Sequence, residues 1–173
     1  MRLFIAIDVS KEAHDYVLDL QKELTGAKLT LTKSFHLTLK FLGEVTPAQA
    51  DEVKKRLAKI TFKPFTAQLD GTGVFPENGK PRVVWIGIEP RDIICELQKN
   101  IDEALKGLFA KEKDFQPHIT LARVKEIHDK KFAENVKTLK VEPISFEVKK
   151  FKLIESQLTS EGPVYKDAAI YSS

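Results

Sequence analysis

The sequence predicts an α+β protein in which two sheet-containing lobes pack together with helices on the outside. Short apolar or alternating segments, typical of strands, are interleaved with segments whose apolar residues recur at helical spacing. The tetrapeptide at residues 36–39 is nearly repeated at residues 118–121, 82 positions later (118 − 36). No low-complexity segment or linker divides the chain. We therefore expect residues 1–173 to form one bilobal domain.

The first half of the chain contains four predicted strands, over residues 3–9, 28–33, 36–42 and 65–74. A helix is predicted from the cap residue Ser10 to about Leu24, followed by Gly26. Gly43 is predicted to close the third strand. The run Thr46-Pro47-Ala48-Gln49 is typical of a capped helix start. The inward faces of these two helices are predicted to be Ala13, Val17, Leu20 and Leu24, and Ala50, Val53, Leu57 and Ile60.

The second half begins after a turn-rich stretch at residues 75–81 and continues with a strand over residues 83–88. Pro90 opens the longest predicted helix. Pro117 leads into a strand that begins at His118, because the residue before a proline favours an extended backbone. A short helix at residues 132–139 and strands at 144–154 and 164–169 complete the chain. The apolar face of the longest helix is predicted to be Ile93, Leu97, Ile101, Leu105 and Leu108.

The composition is that of an ordinary globular protein, with 42% hydrophobic and 31% charged residues. A net charge of +3 is compatible with a phosphate-bearing partner. The single cysteine, Cys95, excludes an intrachain disulfide and a cysteine-based zinc cluster, and a buried position is expected for it. No apolar run is long enough for a membrane span, and the N-terminus does not resemble a signal peptide. We expect a cytoplasmic protein with no membrane partner.

His36-Leu37-Thr38-Leu39 and His118-Ile119-Thr120-Leu121 share one pattern, H-x-T-L. Side chains alternate between the faces of a strand, so the histidine and threonine of each motif point one way and the aliphatic residues point into the core. If the two halves of the chain fold alike and face each other, two imidazoles and two hydroxyls converge. This constellation supplies an acid–base pair and two hydrogen-bond donors.

Histidine has a reference pKa near 6.5, so one imidazole can be neutral while the other is protonated at neutral pH. The hydroxyls of Thr38 and Thr120 suit the non-bridging oxygens of a phosphate, where charge develops as a nucleophile adds. No serine or cysteine nucleophile has a motif around it. A metal site built on the two histidines would need further ligands, and none lies beside the motifs. We expect no metal and no cofactor.

Arg123 follows His118 by five residues, and simple alternation puts it on the opposite face from His118 and Thr120. It reaches the same site only past the end of the strand or after a β-bulge. The other interpretation is a solvated arginine at a strand terminus. The sequence leaves both open.

Aromatic residues beside a phosphate site can stack on a base, but core packing is the favoured interpretation for those that flank the motifs. The remaining two histidines lack a threonine partner and are predicted to lie at the surface. The aromatic residues concerned are Phe35, Phe41 and Phe115, and the histidines are His14 and His128.

These motifs and their flanks resemble the RNA 2′,3′-cyclic phosphodiesterases of the two-histidine (2H) phosphoesterase superfamily, once named 2′–5′ RNA ligases. The resemblance covers nearly the whole chain, and the motif positions show no departure from the family pattern. The matching segments are residues 2–7, 35–43, 81–87, 117–123, 155–158 and 162–165.

The resemblance implies a bilobal, pseudo-symmetric fold, with mostly antiparallel sheets and both motifs facing a central cleft. It implies metal-independent hydrolysis of a terminal 2′,3′-cyclic phosphate on RNA to a 2′-phosphate. By analogy His118 is the proton acceptor and His36 the proton donor, while Thr38, Thr120 and Arg123 bind the phosphate. The sequence alone leaves the acid and base roles open, because the motifs are nearly equivalent.

Other functions compatible with the same residues are reverse 2′–5′ ligation and cleavage of 2′–5′ oligonucleotides or small cyclic nucleotides. A non-enzymatic RNA-end-binding module is a further alternative, although binding a phosphate requires no acid–base pair. The expected partner is RNA with 2′,3′-cyclic phosphate ends or a related nucleotide, and the expected assembly is a monomer.

Overall fold

Thirteen helices and strands, described over Met1–Ser173 in a computed structural model, build two antiparallel sheets and four helices. The predicted α+β class is confirmed. In chain order the elements are β1 (Arg2–Asp8), α1 (Lys11–Gln21), β2 (Ala27–Leu31), β3 (His36–Glu44), α2 (Pro47–Leu57), β4 (Phe65–Glu77), β5 (Lys80–Glu89), α3 (Arg91–Ala104), β6 (His118–Ile127), α4 (Phe132–Lys137), β7 (Ser145–Val148), β8 (Lys150–Thr159) and β9 (Gly162–Ser172).

The two predicted helix caps are both formed. The Ser10 hydroxyl accepts a hydrogen bond from the Ala13 amide at 3.1 Å. Thr46 and Gln49 exchange the two hydrogen bonds of a capping box, at 2.9 and 3.1 Å. Helix α1 ends at Gln21 instead of Leu24, because the next three amides bond to carbonyls three residues back and tighten the final turn.

Helix α3 turns a slightly different face to the core from the predicted one. Ile94 is fully buried, whereas Ile93 is 44% exposed, so the expected inward position of Ile93 was wrong. The buried apolar residues follow the helical period as Ile94, Leu97, Ile101 and Leu105. Cys95, on this helix, is half-buried instead of fully buried.

Three strand boundaries differ from the predictions because of a tight hairpin turn, a β-bulge and the division of one strand. Residues 75–81 are mostly strand, since the hairpin turn needs only Asn78 and Gly79, both at positive φ (53° and 78°). Strand β3 continues through Gly43, whose φ of 71° accommodates a bulge next to Leu42. The predicted strand at residues 144–154 divides at Lys149 into β7 and β8, which belong to different sheets.

The sheets show that the two halves of the chain exchange strands. The four-stranded sheet has the order β3-β1-β8-β9, and the five-stranded sheet has the order β2-β6-β5-β4-β7. Each half contains a strand, a helix and a motif strand in that order, with β2 before the motif strand in the first half. The first strand and the motif strand form an antiparallel pair, β1 with β3 and β5 with β6, and β2 pairs with β6. The later strand of each half then joins the other sheet, β4 beside β5 and β8 beside β1.

One core of 34 buried residues joins both sheets and all four helices. A second cluster, Phe4, Ala6 and Ile154, lies on the opposite face of β1, so β1 is buried on both faces. No helix of the protein is long and apolar enough to span a membrane.

Candidate active site

Both H-x-T-L motifs stand at the starts of equivalent strands, β3 and β6. The aliphatic residues of both motifs are buried in the common core, and the histidines and threonines are half-buried on the other face of each strand. The aliphatic residues are Leu37, Leu39, Ile119 and Leu121. The predicted division of each motif into a core side and an outward side is therefore confirmed.

The two motif strands pack beside each other where the sheets meet. The Thr32 amide, just before β3, donates to the Leu121 carbonyl of β6 at 3.0 Å. The buried Gln21 amide group donates to the carbonyls of Thr32 and Leu121 at 2.7 and 2.8 Å. These hydrogen bonds fix the β2–β3 connection against the second motif.

A β-bulge follows the threonine of each motif, at the same position. Opposite β3, consecutive residues Ile5 and Ala6 pair with Lys40 and Thr38, so Leu39 has no partner. Opposite β6, Val84 and Trp85 pair with Ala122 and Thr120, so Leu121 has none. A bulge reverses the alternation of side chains beyond it.

Because of the β6 bulge, Arg123 returns to the face of His118 and Thr120. In β5, Gly87 pairs with His118, Trp85 with Thr120 and Val83 with Arg123. These three β5 residues are spaced two apart, so their partners share one face. Its side chain is exposed. Without a bulge, simple alternation would put Arg123 on the opposite face. The bulge is one of the two conditions under which the sequence allowed Arg123 to reach the site.

The β3 bulge has the same effect on Phe41, which occupies the position equivalent to Arg123. Phe41 is 72% exposed, so the core-packing interpretation was wrong for this residue. That interpretation is confirmed for Phe35, which is 3% exposed, and Phe115 is half-buried against the core. We call the side of the sheets that carries His36, Thr38, Phe41, His118, Thr120 and Arg123 the motif face.

His36 lies in an aromatic and acidic environment. Its ring meets the rings of Phe4 and Tyr165 edge to face, at centroid distances of 5.7 and 5.1 Å. Its Nε2 atom is 3.8 Å from Asp8 Oδ1, on the residue directly opposite in β1. Burial lowers the pKa of His36 below its ordinary value, and the Asp8 carboxylate opposes that shift.

Asp8 is itself held by a lysine. The Lys152 ammonium lies 2.6 Å from Asp8 Oδ2 and 2.8 Å from Asp167 Oδ2. The Lys152 side chain is 13% exposed, whereas the side chains of Asp8 and Asp167 are 39% and 45% exposed, so a shielded ammonium bridges two partly solvated carboxylates. This arrangement fixes the carboxylate next to His36.

His118 has a different set of neighbours. Its Nδ1 lies 2.7 Å from the Gln116 carbonyl oxygen. In the neutral ring the proton then resides on Nδ1 and donates to that carbonyl, which leaves Nε2 as a hydrogen-bond acceptor. The Phe75 ring packs edge to face at 4.8 Å. Burial lowers the pKa of His118, and the bond to the Gln116 carbonyl opposes that shift.

No carboxylate stands opposite His118 as Asp8 stands opposite His36, because Gly87 occupies the equivalent position. The neighbouring Trp85 indole covers Gly73, where an added Cβ would lie 2.4 Å from the ring. His36 thus has a carboxylate as its neighbour, whereas the recorded contacts of His118 are the Phe75 ring and the Gln116 carbonyl.

The two remaining histidines differ in exposure. His128 is exposed, as predicted, and lies 3.9 Å from Glu126. His14 is half-buried instead of fully exposed: its ring packs against Phe35 at a centroid distance of 5.1 Å, and its Nδ1 lies 3.6 Å from Asp15. No group of three or more histidine, cysteine, aspartate or glutamate side chains is arranged to hold a metal ion.

Five neighbours of the two histidines were missed in the sequence: Phe4, Asp8, Phe75, Gln116 and Tyr165. Asp8 carries a readable signal, because it ends an apolar strand and strand alternation sets it apart from the core residues Ile5 and Ile7. The Gln116 contact is local, through the main-chain carbonyl two residues before His118, so its residue type gives no signal. The aromatic neighbours depend on which strands pair, and the local sequence does not specify that.

Comparison with known proteins adds to this geometry. A family model described as "LigT like Phosphoesterase" matches residues 7–85 and again residues 86–165. Each match contains one H-x-T-L motif, in agreement with two similar halves.

The matching relatives extend over the whole chain. An Archaeoglobus fulgidus protein is 39% identical, with 99% of both chains covered, and a Methanocaldococcus jannaschii protein is 36% identical, with 96% and 97% covered. Both are named RNA 2′,3′-cyclic phosphodiesterase.

Solved structures of similar fold include a Thermus thermophilus protein, with a TM-score of 0.75, 30% identity and 99% and 97% coverage of the two chains. E. coli LigT complexed with 3′-AMP has a TM-score of 0.77, 25% identity and the same coverage. The double match of the family model and the end-to-end likeness to these relatives establish that the chain belongs to the LigT-like phosphoesterase family.

Proposed function

We propose that this protein hydrolyses the terminal 2′,3′-cyclic phosphate of RNA to a 2′-phosphate by acid–base catalysis between two histidines. The observation that supports this most strongly is the pair of H-x-T-L motifs on equivalent bulged strands that pack beside each other. The relatives named RNA 2′,3′-cyclic phosphodiesterase supply the reaction class. One bilobal domain, residues 1–173, would carry the motifs on facing sides of a cleft.

His118 is the proton acceptor in this proposal. Its Nδ1 is engaged by the Gln116 carbonyl at 2.7 Å, which leaves the lone pair of Nε2 to accept a proton. Burial favours the neutral ring. A neutral imidazole with a free acceptor nitrogen is the form that a general base requires.

His36 is the proton donor. Asp8, 3.8 Å away, favours the imidazolium, and His118 has no equivalent carboxylate opposite it. The structural difference between the two sites therefore favours the same roles that the family resemblance implies. The remaining contacts with Phe4 and Tyr165 limit how far the ring can rotate.

Thr38, Thr120 and Arg123 bind the phosphate. Each threonine follows its histidine by two residues and lies on the same face of the strand, and the β6 bulge turns Arg123 toward that face. A guanidinium can bind two phosphate oxygens at once and offsets the charge that develops on them. The other arginines that show contacts are engaged elsewhere: Arg56 with Glu52, Arg82 with Glu77 and Arg91 with Gln116.

The proposed step balances without a cofactor. His118 takes a proton from water as the water oxygen bonds to phosphorus, the bond from phosphorus to the 3′ oxygen breaks, and His36 protonates that oxygen. The product is a 2′-phosphate with a free 3′-hydroxyl. With a 5′-hydroxyl in place of water, His118 would take the proton of that hydroxyl and His36 would again protonate the 3′ oxygen, which would form a 2′–5′ linkage, the reverse of 2′–5′ cleavage. We propose that the protein acts as a cytoplasmic monomer on RNA ends, with no membrane partner.

Product analysis tests the reaction. RNA ending in a 2′,3′-cyclic phosphate is incubated with the protein in excess chelator, and the products are separated as 2′- and 3′-phosphates. The proposal predicts the 2′-phosphate alone. A 3′-phosphate would contradict the assigned roles, and loss of turnover in chelator would indicate a metal ion. Binding of the 2′-phosphorylated product without any turnover would favour the RNA-end-binding module.

The chemistry of the pocket is shared with enzymes acting on 2′–5′ oligonucleotides or small cyclic nucleotides. Comparing kcat/KM for a 2′–5′-linked dinucleotide, a mononucleoside 2′,3′-cyclic phosphate and a cyclic-ended RNA separates these alternatives. The proposal predicts the highest value for the RNA.

A further inference from the structure

Asp8, Lys152 and Asp167 form a row of three charges that ends beside His36. They belong to three adjacent strands of the four-stranded sheet, β1, β8 and β9. The Lys152 ammonium lies 2.6 Å from Asp8 Oδ2 and 2.8 Å from Asp167 Oδ2. The other Asp8 oxygen, Oδ1, lies 3.8 Å from His36 Nε2. We call Asp8, Lys152 and Asp167 the charge triplet.

A β-bulge in β9 brings Asp167 to the face of the sheet that carries Lys152. The consecutive β8 residues Leu153 and Ile154 pair with β9 residues on either side of Ala168, which has no partner. Since a bulge reverses the alternation of side chains beyond it, Asp167 shares a face with Lys152 and Ile154. The contact between Asp167 and the ammonium thus depends on a specific irregularity of the backbone.

Lys152 is the most shielded member of the charge triplet and remains positively charged. Burial lowers the pKa of Lys152, but its contacts with Asp167 and Asp8 outweigh burial, so the pKa lies above its ordinary value. The ammonium therefore stays charged throughout the pH range in which histidines titrate. One cation between two carboxylates leaves the triplet with a single net negative charge.

The three charges act on His36 in opposite directions. Burial has the largest effect on the pKa of His36 and lowers it. Asp8 raises this pKa, Lys152 lowers it and Asp167 raises it again. Without Asp167, the ammonium would cancel much of the stabilisation that the Asp8 carboxylate gives to the imidazolium.

Two other titratable side chains lie near His36, and neither is an anion. His14, on α1, lowers the pKa of His36. Tyr165, on β9, packs against the imidazole, and burial raises the pKa of its hydroxyl, which is therefore neutral where histidines titrate. The negative charge beside His36 comes from Asp8 and Asp167.

We propose that Asp167 is a positioning residue for His36, which acts by neutralising Lys152 and so keeps Asp8 effective as the anionic partner of the imidazole. This inference rests on the proposed role of His36 as the proton donor. Asp167 needs no contact with the substrate for this role, because its effect reaches the imidazole through Lys152 and Asp8.

The test is titration of the His36 imidazole by NMR in the free protein. Asp167→Asn leaves the charge triplet neutral, so we expect the pKa of His36 to fall. Lys152→Met leaves two carboxylates without a cation, so we expect the pKa to rise. The double variant with both substitutions again has one net negative charge, and its His36 pKa should return toward the wild-type value. The pKa of His118 stays unchanged in all three variants.

The double variant separates a role in charge from a role in folding or packing. If Asp167 only shaped the local structure, removal of Lys152 would not repair the effect of Asp167→Asn. A double variant with a His36 pKa no closer to wild type than that of Asp167→Asn would overturn the inference. An unchanged pKa in Asp167→Asn would overturn it as well. Asp167→Glu, which retains the charge, should titrate like the wild type.

The kcat/KM profile supplies the second readout. On its alkaline limb, kcat/KM of Asp167→Asn should fall by about 2- to 5-fold, the effect of one partly solvated charge interaction, and the double variant should recover it. Asp19→Asn and Lys22→Met break an exposed pair on α1 and are the matched controls. They should change neither the limb nor the pKa of His36.

The NMR titration requires no turnover, so it distinguishes this inference from the proposed hydrolysis. The expected pattern of His36 pKa values supports the role of Asp167 even if the wild type hydrolyses no cyclic phosphate. A kcat/KM profile that moves without any change in the His36 pKa would contradict that role.

Discussion

His36 and His118 begin identical motifs but differ in what surrounds each ring. Asp8 stands opposite His36, and Gly87 stands opposite His118. A carboxylate near an imidazole favours the protonated form, and a backbone carbonyl on Nδ1 leaves Nε2 free to accept. In the proposed mechanism, these residues outside the motifs distinguish the acid from the base.

The pH dependence of kcat/KM follows from the two pKa shifts. Burial lowers the pKa of both imidazoles below 6.5. The base must be neutral, so kcat/KM falls on the acid side as the pH drops through the pKa of His118, which lies below that of an ordinary histidine. The acid must be protonated, so kcat/KM also declines as the pH rises through the pKa of His36, which lies below about 6.5. We expect an optimum on the acidic side of neutrality, measured from initial rates well below KM, and an optimum above about pH 7.5 would contradict this.

Asp8→Asn tests the role of His36 as the acid. Without the carboxylate the pKa of His36 falls further, so the alkaline limb of the kcat/KM profile moves to lower pH, and the acid limb set by His118 stays in place. Glu126→Gln is the control, since Glu126 lies at a similar 3.9 Å from the surface residue His128. Movement of the acid limb instead would reverse the two assignments.

Arg123→Ala tests the phosphate contact. We expect kcat/KM to fall by about 10- to 100-fold, the effect of losing hydrogen bonds to a charged group, with an unchanged unfolding midpoint. Arg56→Ala is the control, because Arg56 is paired with Glu52 on α2. Unchanged kinetic constants in Arg123→Ala would restore the interpretation of a solvated surface arginine.

At the scale of single elements, the bulges determine what each motif strand presents. The β3 bulge turns Phe41 outward and Lys40 inward, and the β6 bulge turns Arg123 outward and Ala122 inward. Lys40 becomes a buried cation that lies 2.6 Å from Asp102 and donates to the Ala110 carbonyl, also at 2.6 Å. It ties β3 to α3 and to the loop that follows α3.

Lys40→Met retains the length of the side chain but leaves Asp102 as an unpaired buried charge. We expect a loss of about 3–5 kcal/mol in the free energy of unfolding, measured by urea titration. The double variant Lys40→Met with Asp102→Asn should recover part of that loss. Lys11→Ala, which breaks an exposed pair with Asp15, should change stability by less than about 0.5 kcal/mol. A loss in Lys40→Met as small as that would show that the buried pair does not stabilise the fold.

Most helices and strands could be predicted from sequence because caps and periodicity are local signals. Ser10, Thr46 and Gln49 mark their helices correctly. The bulges could not be located in the same way, since a bulge is defined by the partner strand. For this reason the sequence left the face of Arg123 open and favoured core packing for Phe41, and the strand pairing decides both.

On the scale of the whole molecule, the exchange of β4 and β8 between the two halves makes each sheet depend on both halves of the chain. The sequence predicts two similar halves from the repeated motif, but it does not predict the exchange, since strand pairing over such separations has no local signal. The exchange brings Lys152, Asp167 and Tyr165 from the last two strands to His36 near the N-terminus.

The central claim is that two histidines, one from each half, perform the chemistry. The direct test is turnover of RNA with a 2′,3′-cyclic phosphate end by wild type, His36→Ala and His118→Ala in excess chelator. We predict that the wild type is active and that each variant loses at least about 10²-fold in kcat, as expected for removal of a general acid or base. Persistent turnover in both single variants would contradict the two-histidine mechanism.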